Sequence, residues 1–124
     1  MKEELKSVEA PGAIGPYSQA VKDGRIIFVS GQLPIDAKTG EMPLDIKSQT
    51  EQSIENIRAI LKEAGANLDN VVKTTVLLAD MSLFGEMNEV YAKHFNPIYP
   101  ARAAYAVKEL PKKALVEIEA IAIV

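Results

Sequence analysis

The stretch Ile26-Ile27-Phe28-Val29 is four apolar residues in a row, opened by Asp23-Gly24-Arg25 and closed by Ser30-Gly31. A strand with one wet face alternates; an unbroken apolar run marks a strand covered on both faces. Glycine takes a positive φ at little cost, so Asp23-Gly24 predicts a hairpin turn between strands over residues 18–21 and 25–30. In a short domain a helix can cover one face of the apolar strand. A partner subunit is the natural cover for the other.

Upstream, Ala10-Pro11-Gly12-Ala13-Ile14-Gly15-Pro16 is too rich in glycine and proline for regular structure. It predicts a surface or pocket-lining loop leading into Tyr17, with a further short strand at residues 5–8. Downstream, residues 36–45 read as a loop turning at Thr39-Gly40. A helix follows over residues 46–64, because Ile54, Ile57, Leu61 and Ala64 recur at helical spacing. Ser48 and Glu51 fit a capping box, Asp45 offers an earlier cap, and Gly65 a stop. Residues 71–78 are rich in β-branched side chains and predict a strand. A second helix over residues 82–95 lines up Phe84, Met87, Tyr91 and Phe95, and Pro97 and Pro100 end it. Strands at 101–107 and 115–124 flank a turn at Leu110-Pro111-Lys112-Lys113. The order β-β-α-β-α-β-β, in a single domain over residues 1–124, predicts an α+β layered sheet with two helices on one face.

A formal net charge of −3 without a basic stripe argues against nucleic acid or anionic membrane as partner. The absence of cysteine excludes disulfides, thiolate catalysis and cysteine-bound zinc. Residues 1–9 are charged and lack a signal-peptide core, and no apolar run approaches the ~20 residues of a membrane helix. The expectation is a soluble, cytoplasmic protein. Phosphate-binding glycine patterns are absent, and no serine has a base partner for a triad. His94, the single histidine, lies near the end of the second helix. It reads as a capping or surface residue around which no metal cluster can be built.

Some residues break the apolar pattern. Arg102 shares a strand face with Ala104 and Ala106, small residues that leave room around a planar guanidinium. Such a fork fits a carboxylate in a bidentate way, or it forms an ordinary inter-strand ion pair. In the last strand Val116, Ile118, Ala120 and Ala122 form the face toward the helices, while Glu117 and Glu119 share the other with Ile121 and Ile123. That mixed face is an oligomer interface with acids at its rim, an acid pointing into an intersubunit pocket, or both. Asn88 borders the stripe of the second helix, where a buried amide holds a ligand or ties a loop. Ser30-Gly31 and Tyr17 are weaker signals of a ligand approaching backbone.

Taken together, Gly15-Pro16-Tyr17-Ser18-Gln19-Ala20, Val29-Ser30-Gly31-Gln32-Leu33-Pro34, Val72-Lys73-Thr74-Thr75-Val76, Met87-Asn88-Glu89-Val90-Tyr91, Pro100-Ala101-Arg102-Ala103-Ala104 and Val116-Glu117-Ile118-Glu119-Ala120 resemble, in order, the signatures of the RidA/YjgF family of reactive-intermediate deaminases. The resemblance implies a chorismate-mutase-like fold and a homotrimer with a central β-barrel and active sites between subunits. It implies hydrolysis of 2-aminoacrylate, 2-iminopropanoate or 2-iminobutanoate to 2-oxo acids and ammonia, without metal or organic cofactor. Arg102 would bind the substrate carboxylate and Glu117 would place the attacking water. Tyr17, Ser30, Gly31, Asn88 and Ala104 would complete the substrate site. Many deaminating members carry a cysteine where this chain has Ala104, whose backbone remains but whose thiol is lost. A non-catalytic sensor of small carboxylates is the alternative implied by that change, and an endoribonuclease or translation inhibitor is a further one. If the water site is local to Glu117, Glu119, one strand step away, is expected to matter little to turnover.

Overall fold

The computed structural model describes residues 1–124. The hairpin at Asp23-Gly24 joins β2 (Ala20–Asp23) to β3 (Ile26–Gln32), with Gly24 at φ +60. β1 (Lys2–Leu5) pairs with β2, and β3 pairs on its other side with β6 (Val116–Ile123). β4 (Val71–Leu78) lies beyond β6, and β5 (Ala101–Ala106) forms the far edge. The sheet order is therefore β1-β2-β3-β6-β4-β5, antiparallel except for the parallel pair β4–β5. That pair is joined through α2 (Phe84–His94), and α1 (Ile46–Lys62) links β3 to β4. Both helices contribute to one core under one face of the sheet, as the apolar spacings predict. No helix is long and apolar enough to cross a membrane.

Element boundaries follow local hydrogen bonding. Asp45 caps α1, its Oδ2 accepting from the Ser48 N–H at 3.0 Å, so the earlier of the two caps is used. Gly65, at φ +69, ends the helix: its N–H reaches the Lys62 carbonyl, and that of Ala66 reaches Leu61. β1 and β2 fall three and two residues away from their expected positions, and Gln19 accounts for the early end of β1. Its buried side chain accepts from the Ser7 N–H at 2.7 Å and donates to the carbonyls of Ser7, Ala10 and Pro11. Ser7 is thereby taken out of β1, and the 7–11 segment is bound to the chain just before β2.

The expectation that β3 is buried on both faces is met on one. Ile27 and Val29 are buried, whereas Ile26 and Phe28 are 41% and 50% exposed. Ile123 beside them is also exposed. Two helices cover only one face, and the other is left apolar and open within the chain.

The connection from β5 to β6 tightens at a short 3₁₀ turn, Pro111–Lys113, where Lys112 and Lys113 both adopt left-handed backbone at φ 56 and φ 59. A side chain there crowds its own carbonyl, which glycine avoids. Lys113 is exposed. Lys113→Gly should therefore stabilise the fold by roughly 0.5–1 kcal/mol after glycine's unfolded-state entropy is counted. A urea midpoint unchanged or lowered in this variant would contradict the strain.

Candidate functional site

Arg102 lies opposite Thr74 in the parallel β4–β5 register, on the helix-covered face. Its guanidinium sits 4.7 Å from the ring centroid of Tyr91 and 5.4 Å from that of Phe84. Nη1 donates to Asn88 Oδ1 at 2.6 Å. The Tyr91 hydroxyl is fixed in turn by Thr74 Oγ1 at 2.7 Å. Burial pushes the Tyr91 phenol above its ordinary range, against the hydrogen bond to Thr74 and the charge of Arg102. No carboxylate lies within ion-pair distance of Arg102. The ion-pair reading is thus excluded within the chain. The arginine is held by π faces and one amide, with the rest of its donor fork uncommitted. Asn88 ties the helix to the guanidinium. Ala104, two residues on, is half-buried against the core on the same face. β5 has β4 as its only neighbour, so its outer edge offers unpaired backbone groups beside Arg102.

Glu117 lies opposite Leu77 in the β4–β6 register, on the open face. It lines a cavity of about 730 Å³ with Tyr17, Ser30, Gly31, Lys112 and Glu119. An atom at the position of a Gly31 Cβ would stand 2.7 Å from Glu117 Oε2 and 2.9 Å from its Cδ. The role of Gly31 is therefore to leave space for the carboxylate, a sharper reason for glycine than a general strand end. Burial raises the Glu117 pKa above the usual carboxylate value, and the charge of Glu119 adds to the rise. Ser30 is at the cavity wall with its hydroxyl donating to the Ser18 carbonyl at 2.6 Å. Tyr17 is half-exposed on the loop held by Gln19.

Tyr17, Ser30, Gly31 and Glu117 are thus brought together, and so are Asn88, Arg102 and Ala104. The two groups lie on opposite faces of one sheet and do not meet within the chain. Sequence reading gave Gln19, Asn56, Gln49 and Lys112 no site role. Asn56 donates to the carbonyls of Leu33 and Ile35, both on the cavity wall, at 3.0 Å each. Gln49 accepts from the Leu115 N–H at 2.8 Å, fixing the approach to β6. The available signal was polar residues at apolar helix positions, since a buried amide must find partners.

His94 departs from its sequence reading. Two glutamates of α1 reach it: Nε2 meets Glu51 at 2.5 Å and Nδ1 lies 3.9 Å from Glu55, three groups close enough to share a cation. Arg58 also reaches Nδ1, at 3.0 Å. A guanidinium only donates, so Nδ1 accepts and Nε2 carries the proton given to Glu51. Both ring nitrogens are occupied in tying α1 to α2.

A family model described as Endoribonuclease L-PSP matches residues 7–124. A RutC family protein of Pyrococcus horikoshii is 56% identical over 123 residues, covering 98% of both chains. A 2-iminobutanoate/2-iminopropanoate deaminase of Homo sapiens is 48% identical over 120 residues, covering 96% of this chain and 88% of that one. The crystal structure of RidA from an Antarctic Psychrobacter superposes with a TM-score of 0.95 at 46% identity, covering 98% of this chain and 99% of that one.

The contact between Gly31 and Glu117 is directly testable. Gly31→Ala should push the carboxylate outward into water and lower its proton affinity. Carbon-13 NMR titration of the Glu117 carboxyl would then show a midpoint moved down toward the ordinary glutamate range. An unmoved midpoint would mean that the space left by Gly31 does not hold the carboxylate in place.

Proposed function

This chain belongs to the RidA/YjgF family, and on that premise we propose that it hydrolyses 2-aminoacrylate, 2-iminopropanoate and 2-iminobutanoate to 2-oxo acids and ammonia. The observation that carries the reading is Arg102: a partly buried guanidinium, preset by Asn88, Phe84 and Tyr91, with no acid of its own. A substrate carboxylate is the missing partner, and a bidentate clamp would orient the adjacent C=N carbon.

Glu117 supplies the other half of the chemistry. Each substrate reacts as its protonated imine, which 2-aminoacrylate reaches by taking a proton at its CH2 carbon. The Glu117 carboxylate takes a proton from water as the water oxygen bonds to the iminium carbon; the C=N π pair passes to nitrogen, and the nitrogen becomes an amine. Glu117 passes that proton on to the nitrogen, and the C–N bond breaks as the new hydroxyl becomes C=O and gives up its own proton, leaving the 2-oxo acid and ammonia. The imine carbon is already electrophilic, so orientation and one base suffice. Arg102 and Glu117 occupy opposite faces of the sheet, so a complete site joins the Arg102 half of one copy to the Glu117 half of another. The open apolar face at Ile26, Phe28 and Ile123 is a surface such a copy would cover, and a homotrimer closes the arrangement into a ring. The charged lining of the Glu117 cavity is Asp36, Glu117 and Glu119 against Lys112. That balance suits a cationic iminium and repels a phosphodiester, which disfavours an RNA-cleaving reading. A carboxylate sensor without catalysis is favoured only by Ala104.

Ammonia release from freshly generated 2-iminobutanoate separates the readings. Glu117→Gln should lower turnover about 10²–10⁴-fold, the usual cost of losing a general base. Its affinity for a 2-oxo acid should hardly change. Arg102→Ala should weaken that affinity by roughly 2–5 kcal/mol, as expected when one partner of a desolvated charge pair is removed. Wild-type turnover in the Glu117 variant would hand the case to the sensor.

The shared site makes a separate prediction. Arg102→Ala and Glu117→Gln chains, each strongly impaired alone, should regain activity when refolded together, because some sites then combine two intact halves. Random mixing in a three-membered ring gives about one quarter of the wild-type site count. Mixed trimers, verified by light scattering, that stayed inactive would place both residues in the same subunit's site.

A further inference from the structure

Glu119, which should matter little to turnover if the water site is local to Glu117, lines the same cavity as Glu117. The two side chains leave one face of β6, opposite Thr75 and Leu77 in the β4 register. Residues two apart on a strand face stand about 7 Å apart, close enough for like charges to interact. Their surroundings differ: Glu117 is half-buried with its carboxylate in the space Gly31 leaves, whereas Glu119 is exposed. No cation of the chain forms an ion pair with either.

We propose that Glu119 is a positioning residue for the hydrolytic reaction, an acidic neighbour on the same strand face and cavity wall that keeps the Glu117 carboxylate a strong enough base to take a proton from water. This deepens the deaminase reading and rests on it. A carboxylate in ordinary solution is a weak base at neutral pH, and a desolvated one beside a second negative charge holds a proton more tightly. The direction found for Glu117, raised first by burial and then by Glu119, agrees. The other groups facing Glu117 across the cavity are Tyr17 and Ser30, with Asp36 and Lys112 at its charged rim. Lys73 of β4 lies diagonally from Glu119, one pair along the ladder, and its Nζ donates to Thr75 Oγ1 at 3.5 Å. Asp36 acts in the same sense as Glu119, and Lys112 and Lys73 in the opposite one. Glu119 is the acid fixed on the same strand face as Glu117, so its charge cannot be moved by a loop.

The test is the pH profile of kcat/KM for ammonia release by the intact protein. A base must be deprotonated to act, so a raised proton affinity sets the acid limb at higher pH. Glu119→Gln removes the like charge and should move that limb down. On the acid side the variant should keep about three- to tenfold more of its own plateau activity than wild type, the range given by Coulomb interaction at about 7 Å in near-aqueous surroundings. Its plateau should fall, because the base is weaker. Glu119→Asp retains the charge and should leave the limb near the wild-type position. A Glu119→Gln limb superimposed on wild type would overturn the proposal, as would an Asp variant that shifts like the Gln one. Carbon-13 titration of the Glu117 carboxyl reads the same coupling without substrate. A wild-type protein that released no ammonia would defeat the deaminase reading. A Glu117 midpoint that failed to drop in Glu119→Gln would defeat the pairing of the two acids by itself.

Discussion

Two helices can cover one face of a six-stranded sheet and no more, and every feature of the candidate site follows from which face a side chain takes. Strand residues alternate, so β6 sends Val116, Ile118, Ala120 and Ala122 into the core and Glu117 and Glu119 to the open side. β5 sends Arg102 and Ala104 toward the helices because it runs in register with the buried Thr74 and Val76. The cation and the acid of the proposed chemistry are therefore separated by the thickness of the sheet. The same constraint leaves Ile26, Phe28 and Ile123 uncovered, an apolar surface of the kind that marks association.

Buried amides give the site its shape. Gln19 satisfies four backbone groups of the segment leading to Tyr17, Asn56 holds the carbonyls of Leu33 and Ile35, and Gln49 anchors Leu115 at the start of β6. Losing any of these side chains would strand buried polar groups at about 1–3 kcal/mol each. A cavity wall made of irregular chain is thereby held as firmly as a strand. Ser53 Oγ on the same helix has no partner, and nothing in the structure accounts for it.

Charge is managed differently in the two halves. Arg102 is kept over aromatic rings and an amide oxygen, contacts that orient a cation without neutralising it. Glu117 is kept without a cation, half out of water and near a second acid, so its proton affinity rises. An ion pair between them inside one chain would cancel both effects. Their placement on opposite faces preserves a free positive fork and a strengthened base within the chain, the two halves that the proposed shared site would bring together.

Much of this was legible in the chain itself. The spacing of Ile54, Ile57 and Leu61, the β-branched run at 71–78, the stop at Gly65 and the hairpin at Asp23-Gly24 are local signals. Local backbone sterics and one-dimensional periodicity suffice to read them. The ordered signatures around Tyr17, Ser30, Arg102 and Glu117 carried the family, and the resemblance singled out the residues of the proposed site. Three things were decided only by tertiary structure. Strand order and register placed Arg102 and Glu117 on opposite faces. The side-chain bonds of Gln19 ended β1 before Ser7. The approach of α2 to α1 gave His94 its glutamate and arginine neighbours. Each depends on contacts between residues distant in sequence, and periodicity along the chain holds no information about which distant partner a side chain meets.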